Sequence, residues 1–364
     1  MVSHIANELG SKGMAPRSAR PPAAIVIVSL LVILTGCAVV ATTIGAAGIP
    51  FSRLLSALGF TNPADPALLA RDQLVLWSIR IPRIVVTGLV GAMLAVAGAV
   101  MQGLFRNPLA DPALVGVSSG GALAAAAAIV FADSQYGSSI KFLQFELLPV
   151  AAFFGSLITT FVLYRIASRG GRTSVAIFLL SGLAIAALAN AGLGLLVFIA
   201  DDRQLRDITF WLLGSLSGST WSKAVVIGPI AFVALSAVLW VSRDLDLLVL
   251  GEAEAFHSGV NVQRLKAISI IAVSAMTGAA VAVAGVIGFV GIVVPHVLRL
   301  IIGPGHKLLM PSAAILGAAL MVLADTLARI LAAPAEVPIG VLTAAIGAPF
   351  FLAIVLRQRS AIGL

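Results

Sequence analysis

The chain is a succession of apolar runs, most of them about twenty residues long, joined by short polar connections. In lipid, every backbone polar group must be satisfied internally, so a chain of this kind can cross a membrane only as helices or as a closed barrel. Runs of this length, with no short-period alternation, predict helices. They read as Ala23–Val40, Ile84–Leu104, Leu114–Phe131, Leu147–Ile166, Val175–Ala200, Ala224–Val241, Ala267–Ile287, Ile292–Ile302, Ala313–Leu331 and Ile339–Leu356. The expected fold is therefore an all-α polytopic membrane protein with ten transmembrane helices. The eighth run is too short to cross as a regular helix, so a broken or buried segment is expected there. Hydrophobic residues make up 60% of the chain and charged residues 10%, against about a quarter charged in soluble domains. Residues 1–22 read as a polar tail, 23–358 as the membrane domain and 359–364 as a second tail. A basic tail before an apolar run also fits a signal peptide, and Leu34-Thr35-Gly36-Cys37 resembles a lipoprotein cleavage site. The length of the run and the spans that follow favour a first crossing instead.

An even number of spans puts both tails on one side of the membrane. Most of the 23 Lys and Arg, and fewer than half of the 15 acids, fall on that same side. The excess of Lys and Arg makes that side cytoplasmic. The net charge of +8 then reflects topology, and no nucleic-acid partner is needed.

One long polar interruption, Arg243 to Lys266 (RDLDLLVLGEAEAFHSGVNVQRLK), breaks the second half of the chain on the cytoplasmic side. Helix formers fill Glu252 to His257, Gly259 can stop that helix, and Asn261 can cap another. Two short helices hinged at Gly259 would make a docking surface for a soluble partner; an ordinary solvated loop is the alternative. An internal echo accompanies it. Gly91–Gly98 (GAMLAVAG) and Gly278–Gly285 (GAAVAVAG) share six of eight positions, and at the same offset Pro108 falls opposite Pro295 and Gly116 opposite Gly303. Spans two to five would then recur as seven to ten with opposite orientation, the inverted repeat common in transporters.

Enzyme signals are missing. His4, His257, His296 and His306 have no metal-ligand spacing with one another or with Cys37. His296 reads as a structural hydrogen-bonding residue. No GxxxxGK[ST] occurs, so the chain has no P-loop. Few ionisable residues fall within the runs, where ion-coupled carriers place their relays. Asp325 and Arg329, four apart, read as a local ion pair. No cofactor and no metal are expected. Gly88, Gly91, Ala95 and Gly98, and again Gly120, Gly121, Ala122 and Ala124, fit close helix packing.

Several stretches together resemble one family, the FecCD-type permease subunits of ABC importers for iron-siderophore complexes, haem and vitamin B12. They are RIPR (Arg80–Arg83), GAMLAVAGAVMQGLFRNPLADPALVGVSSG (Gly91–Gly120), FWLLGSLSGSTW (Phe210–Trp221), LGEAEAFHSGV (Leu250–Val260), GVIGFVGIVVPHVLRLIIGPGH (Gly285–His306), ADTLAR (Ala324–Arg329) and EVPIGVLTAAIGAPFF (Glu336–Phe351). The resemblance implies a homodimer in the bacterial inner membrane with a path along its axis. Two ATP-binding subunits would sit on the cytoplasmic face and a periplasmic substrate-binding protein on the other. It makes Gly251, Glu252, Ala253, Glu254, Ala255, His257, Gly259 and Val260 the ATPase-coupling residues. Arg80, Arg83 and Arg329 match outward arginines that pair with glutamates of the binding protein. Asn107 and Leu109 match a cytoplasmic gate, and Thr173 and Ser174 resemble its second part, although the spacing on to Ser181-Gly182 is longer here. LGEAEA and NPLADPALVGVSSGGALAAA look most like haem-importer permeases, so the implied cargo is an iron chelate, haem, with ferric siderophore or vitamin B12 as alternatives. From another class, an ion-coupled secondary carrier would work without an ATPase.

Overall fold

The structure, a computed structural model, describes residues 21–45, 49–61, 65–132, 144–170 and 172–362 of the 364-residue chain. The predicted tail 1–22, with His4, lies almost wholly outside the described residues. The first helices are α1 (Ala23–Thr43), α2 (Phe51–Ala57), α3 (Pro66–Val75), α4 (Ile81–Leu104) and α5 (Val117–Ala132). Next come α6 (Gln144–Ala167), a two-residue hairpin of β1 (Ser168–Arg169) and β2 (Arg172–Thr173), α7 (Val175–Ile199), α8 (Asp202–Leu212) and α9 (Trp221–Trp240). The chain closes with α10 (Ser242–Leu250), α11 (Glu252–His257), α12 (Val262–Ala284), α13 (Val290–Ile302), α14 (His306–Leu331) and α15 (Ile339–Ile362).

Among the described residues each predicted run has its helix, but only seven stretches meet the length and apolarity of a full crossing: α1, the stretch from α3 through α4, α6, α7, α9, α12 and α14. Shorter apolar helices, α5, α13 and part of α15, occupy the other three runs. Several boundaries differ from expectation, among them the start of the ninth run, where the helix begins at His306 rather than Ala313. The second span does not begin at Ile84, because a 39-residue helical stretch runs from Pro66 to Leu104. The seventh ends at Ala284 rather than Ile287, and the last helix continues to Ile362, through the start of the predicted tail at 359.

The long helix survives its proline by widening. Leu76–Arg80 is a π-helical turn between α3 and α4. Pro82 cannot donate to the carbonyl of Ser78, and its ring crowds that carbonyl, so the ladder loosens where the RIPR stretch begins. The eighth run, Ile292–Ile302, is itself one unbroken short helix, largely buried, and the break falls just before it. Gly285 (φ +70°) ends α12, the backbone is non-helical up to Phe289 (φ +68°), and α13 restarts at Val290. That irregular stretch packs on protein, with Gly285 beside the Trp211 carbonyl and Gly340 beside the Val286 carbonyl, and neighbouring backbone is tied in as well. Ser215 N–H donates to the Ala284 carbonyl at 2.9 Å, while Ile339 and Gly340 N–H donate to the carbonyls of Gly214 and Leu213 at 3.1 and 3.0 Å.

Helices α4 and α12 make the interior; 78% of each one's most apolar window is buried, against 11% for α1 and 17% for α7. The packing follows the repeat. Helix α4 packs on α14 as α12 packs on α6, and the pairs α5–α6, α5–α7 and α6–α7 recur as α13–α14, α13–α15 and α14–α15. Gly91 abuts the Gly317 backbone of α14, and its counterpart Gly278 abuts Ser156 and Phe153 of α6. Beyond this first helix pair the constant offset fails. Pro108 lies in a turn but Pro295 lies inside α13, which starts at Val290, ahead of the Gly303 that was matched to Gly116. The connection before α13 is the shorter one, so the repeat persists in packing after its residue register is lost.

Candidate functional site

The polar stretch folds as three connected pieces. Gly251, in an extended conformation that only glycine adopts readily (φ +145°), separates α10 from α11. Helix α11 ends in a Schellman motif, with Val260 N–H bonded to the Ala255 carbonyl at 3.0 Å and Gly259 N–H to the Phe256 carbonyl at 3.0 Å. Gly259 takes the left-handed conformation (φ +87°) that this motif needs. Asn261 then caps α12, its side chain accepting from Arg264 N–H at 3.0 Å. The Gly259 stop and the Asn261 cap are as read from the sequence. The second helix is not short, however: it is the start of the 23-residue α12.

Not all the predicted coupling residues face outward. Gly251, Ala255 and Val260 are buried and hold the turn in place, whereas Ala253, Glu254, His257 and Gly259 are exposed and Glu252 is half-buried. The sequence reading passed over Phe256, a residue 69% exposed near the end of α11. Its ring meets the His257 ring edge-on at 5.9 Å between centroids, and large aromatics are enriched at protein interfaces. Its signal was the single phenylalanine between Arg243 and Lys266.

The residues of the expected gate lie at helix ends. Asn107 follows α4 and accepts from Leu109 N–H at 2.9 Å, fixing a tight turn; Asn107 is exposed and Leu109 half-buried. Thr173 is buried in the hairpin and Ser174 caps α7, accepting from Ile177 N–H. Phe105 and Phe178 stack at 6.3 Å between centroids, which brings the end of α4 to the start of α7. Two α12 side chains hold the Thr173 backbone: its N–H donates to Gln263 Oε1 at 2.8 Å, and its carbonyl accepts from Lys266 Nζ at 2.8 Å. Lys266 Nζ also lies 2.8 Å from Glu252 Oε1 of α11.

At the same end of the bundle, Asp246 of α10 accepts from the backbone N–H of His306 at 2.8 Å and meets its ring Nδ1 at 2.6 Å. Burial pushes the Asp246 carboxyl up, but these bonds outweigh it and leave the group below its ordinary range. Nearby, Arg299 donates to Gln102 Oε1 at 2.6 Å, and Gln102 donates to the Gly291 carbonyl at 3.3 Å. His296 departs from expectation: its ring packs edge-on against Phe350 at 6.0 Å, with no hydrogen bond among the described residues. No cluster of three or more His, Cys, Asp or Glu suited to a metal occurs among the described residues.

The opposite end gathers Arg80, Arg83 and Arg329, as the resemblance implied, but not as bare outward cations. Arg83, 8% exposed, forms paired hydrogen bonds with Asp325 (2.8 and 2.9 Å) and Glu336 (both 2.9 Å). Arg80, 5% exposed, donates to the carbonyls of Ala41 and Ile44, and Arg329 also reaches Ala41. Two of the arginines thus cap the C-terminal end of α1, where exposed carbonyls favour a cation. Asp325 and Arg329 do form the i,i+4 contact, at 3.4 Å, within a wider cluster. Hydrogen bonding to Arg83 holds the Glu336 carboxyl below the usual carboxylate range.

Residues 30–357 match the sequence profile described as the FecCD transport family. The chain belongs to that family. It is 46% identical over 282 residues to the hemin transport system permease protein HmuU of Yersinia pestis, covering 78% of this chain and 83% of that one. It is 42% identical over 312 residues to the cobalamin import system permease protein BtuC of Halobacterium salinarum, covering 86% and 80%. A solved chain described as a metal-chelate type ABC transporter in an inward-facing conformation overlays with a TM-score of 0.78 at 33% identity, covering 91% of this chain and 98% of the other. The FecCD chain described here is accordingly an ABC-transporter permease that crosses the membrane several times.

Proposed function

We propose that the chain is the permease of an importer that moves an iron chelate, haem, into the cytoplasm, driven by separate ATPase subunits and fed by a substrate-binding protein. One observation carries this reading: α11 is a short helix set between two membrane helices, pinned by a Schellman turn and presenting Phe256 near its end. A helix so placed can seat in a cleft of a soluble ATPase. In this reading α11 lies on the cytoplasmic face with both termini, and the arginine cluster lies on the face of the binding protein. Homodimerisation across α7 is part of it, since Leu180, Leu183, Leu188, Leu195 and Phe198 leave that helix with a broad exposed apolar surface. Haem is favoured by the 46% identity to a hemin permease.

Vitamin B12 is the second reading, supported by the longer alignment to a cobalamin permease. Uptake into proteoliposomes containing the permease, its ATPase and its binding protein separates the two. ATP-dependent accumulation of haem over cobalamin is expected; the reverse preference would move the assignment to vitamin B12. Uptake by the chain without any ATPase would identify an ion-coupled carrier instead.

A further inference from the structure

Lys266 lies on α12 with a side chain only 2% exposed, yet it meets two other elements. Its Nζ donates to the Thr173 carbonyl at 2.8 Å and pairs with Glu252 Oε1 at 2.8 Å. Beyond Thr173 the connection is stiff: its hydroxyl meets the Ser168 hydroxyl at 2.8 Å, Ser174 N–H bonds the Ala167 carbonyl at 3.0 Å, and Ser174 caps α7. A short chain of polar contacts therefore runs from the first residue of α11, through one buried amine, to the turn that opens α7. Beside it an open groove of about 970 Å³, lined by Arg172, Glu252, Phe256, His257 and Gln263 among others, leaves space between the hairpin and α11.

We propose that Lys266 is the positioning residue that transmits movement of the ATPase-docking helix to the gate turn at Thr173–Ser174. A lysine suits the task, because one amine with three donors can serve acceptors on two elements at once. Both contacts are near the ideal distance, and stretching either much beyond 3.2 Å would forfeit it. A buried amine left without partners is costly, so the elements it joins move together rather than apart. The inference rests on the reading of α11 as the ATPase seat and Thr173–Ser174 as part of the gate.

The test uses the full complex in proteoliposomes, with haem supplied on the binding protein. Lys266→Met removes both contacts, and Glu252→Ala removes one from a half-exposed position. Lys266→Met should retain bound ATPase and ATP hydrolysis, and in both variants haem imported per ATP hydrolysed should fall about tenfold. The double variant should be no worse than either alone. Spin labels at positions 172 and 253 should keep one separation with and without ATP in the parent protein, and two separations in the variants. A purely structural lysine would lower thermal stability and leave the haem-to-ATP ratio unchanged, and that outcome overturns the proposal, as would an ATP-dependent separation in the parent. If Lys266→Met fails to assemble, Glu252→Ala decides by the same ratio. Phe256→Asp tests the underlying reading separately. It should strip the ATPase from the complex, and an ATPase retained there would remove α11 as the seat, whereas failure of the Lys266 variants alone leaves docking intact.

Discussion

At the scale of single residues, Gly259 and the Arg83 cluster carry the clearest consequences. A side chain on Gly259 would meet nothing within 4 Å, so the cost of replacing it lies entirely in its φ of +87°. A β-branched residue in the left-handed region costs on the order of 1–2 kcal/mol. Gly259→Val should therefore undo the Schellman turn and lower ATPase co-purification or uncouple hydrolysis from uptake, while Gly259→Asn, which tolerates that region, should stay near the parent. Arg83 was read from the sequence as an exposed docking group, but in the structure it is a buried partner of Asp325 and Glu336. Removing one partner of a buried pair costs about 3–5 kcal/mol, so Arg83→Ala should lower the melting temperature sharply before any effect on docking is seen. The pH dependence follows in sign. Glu336 has a native pKa below its unfolded value, so its contribution is fully present above the ordinary glutamate range. That contribution should fade as pH falls from there through the lower native value, and Glu336→Gln should flatten this limb of a melting-temperature profile.

At the scale of elements, the π turn at Leu76–Arg80 decides where the arginines point. The periodicity around Ile84 gave the span but not its upstream continuation, because Arg71, Asp72 and Gln73 interrupt the apolar run. Asp72 is buried against Arg53 of α2 at 3.1 Å, a compensation no local pattern could reveal. Pro82→Ala should let the turn tighten to an ordinary α-helix and rotate Arg80 away from the carbonyls of Ala41 and Ile44. Charge-assisted hydrogen bonds are worth about 1.5–3 kcal/mol each, so a lower melting temperature is expected, with greater spin-label mobility at the end of α1. An unchanged melting temperature would show that the cap does not stabilise α1.

At the scale of the whole molecule, contact between glycine backbones sets how closely α4 meets its neighbours. Gly98 lies directly against Gly291 of α13, and a Cβ on Gly291 would come 3.2 Å from the Gly98 Cα. Gly98→Val should force these helices apart at a cost of about 1–3 kcal/mol or more, and detergent-extracted protein should lose its monodisperse peak on size exclusion. A methyl group on Gly36 of α1 would meet nothing within 4 Å, so Gly36→Ala should leave that peak in place. The positions and order of the apolar runs, the Gly259 stop and the Asn261 cap were legible in the sequence, whereas the short helices between the runs and the break just before α13 were not. Each legible feature depends on hydrophobic length or on local backbone chemistry, and neither needs a distant partner. The sequence also showed that Arg80, Arg83 and Arg329 belong together, through motifs rather than through physics. What they bond to was decided by tertiary structure, because Asp325 and Glu336 reach Arg83 from more than two hundred residues away. The same holds for Lys266, which the sequence offered only as one more positive charge on the cytoplasmic side. Its two acceptors lie on separate elements, Thr173 on the hairpin and Glu252 on α11, and only the packing of α12 between them turns a topological charge into a connection.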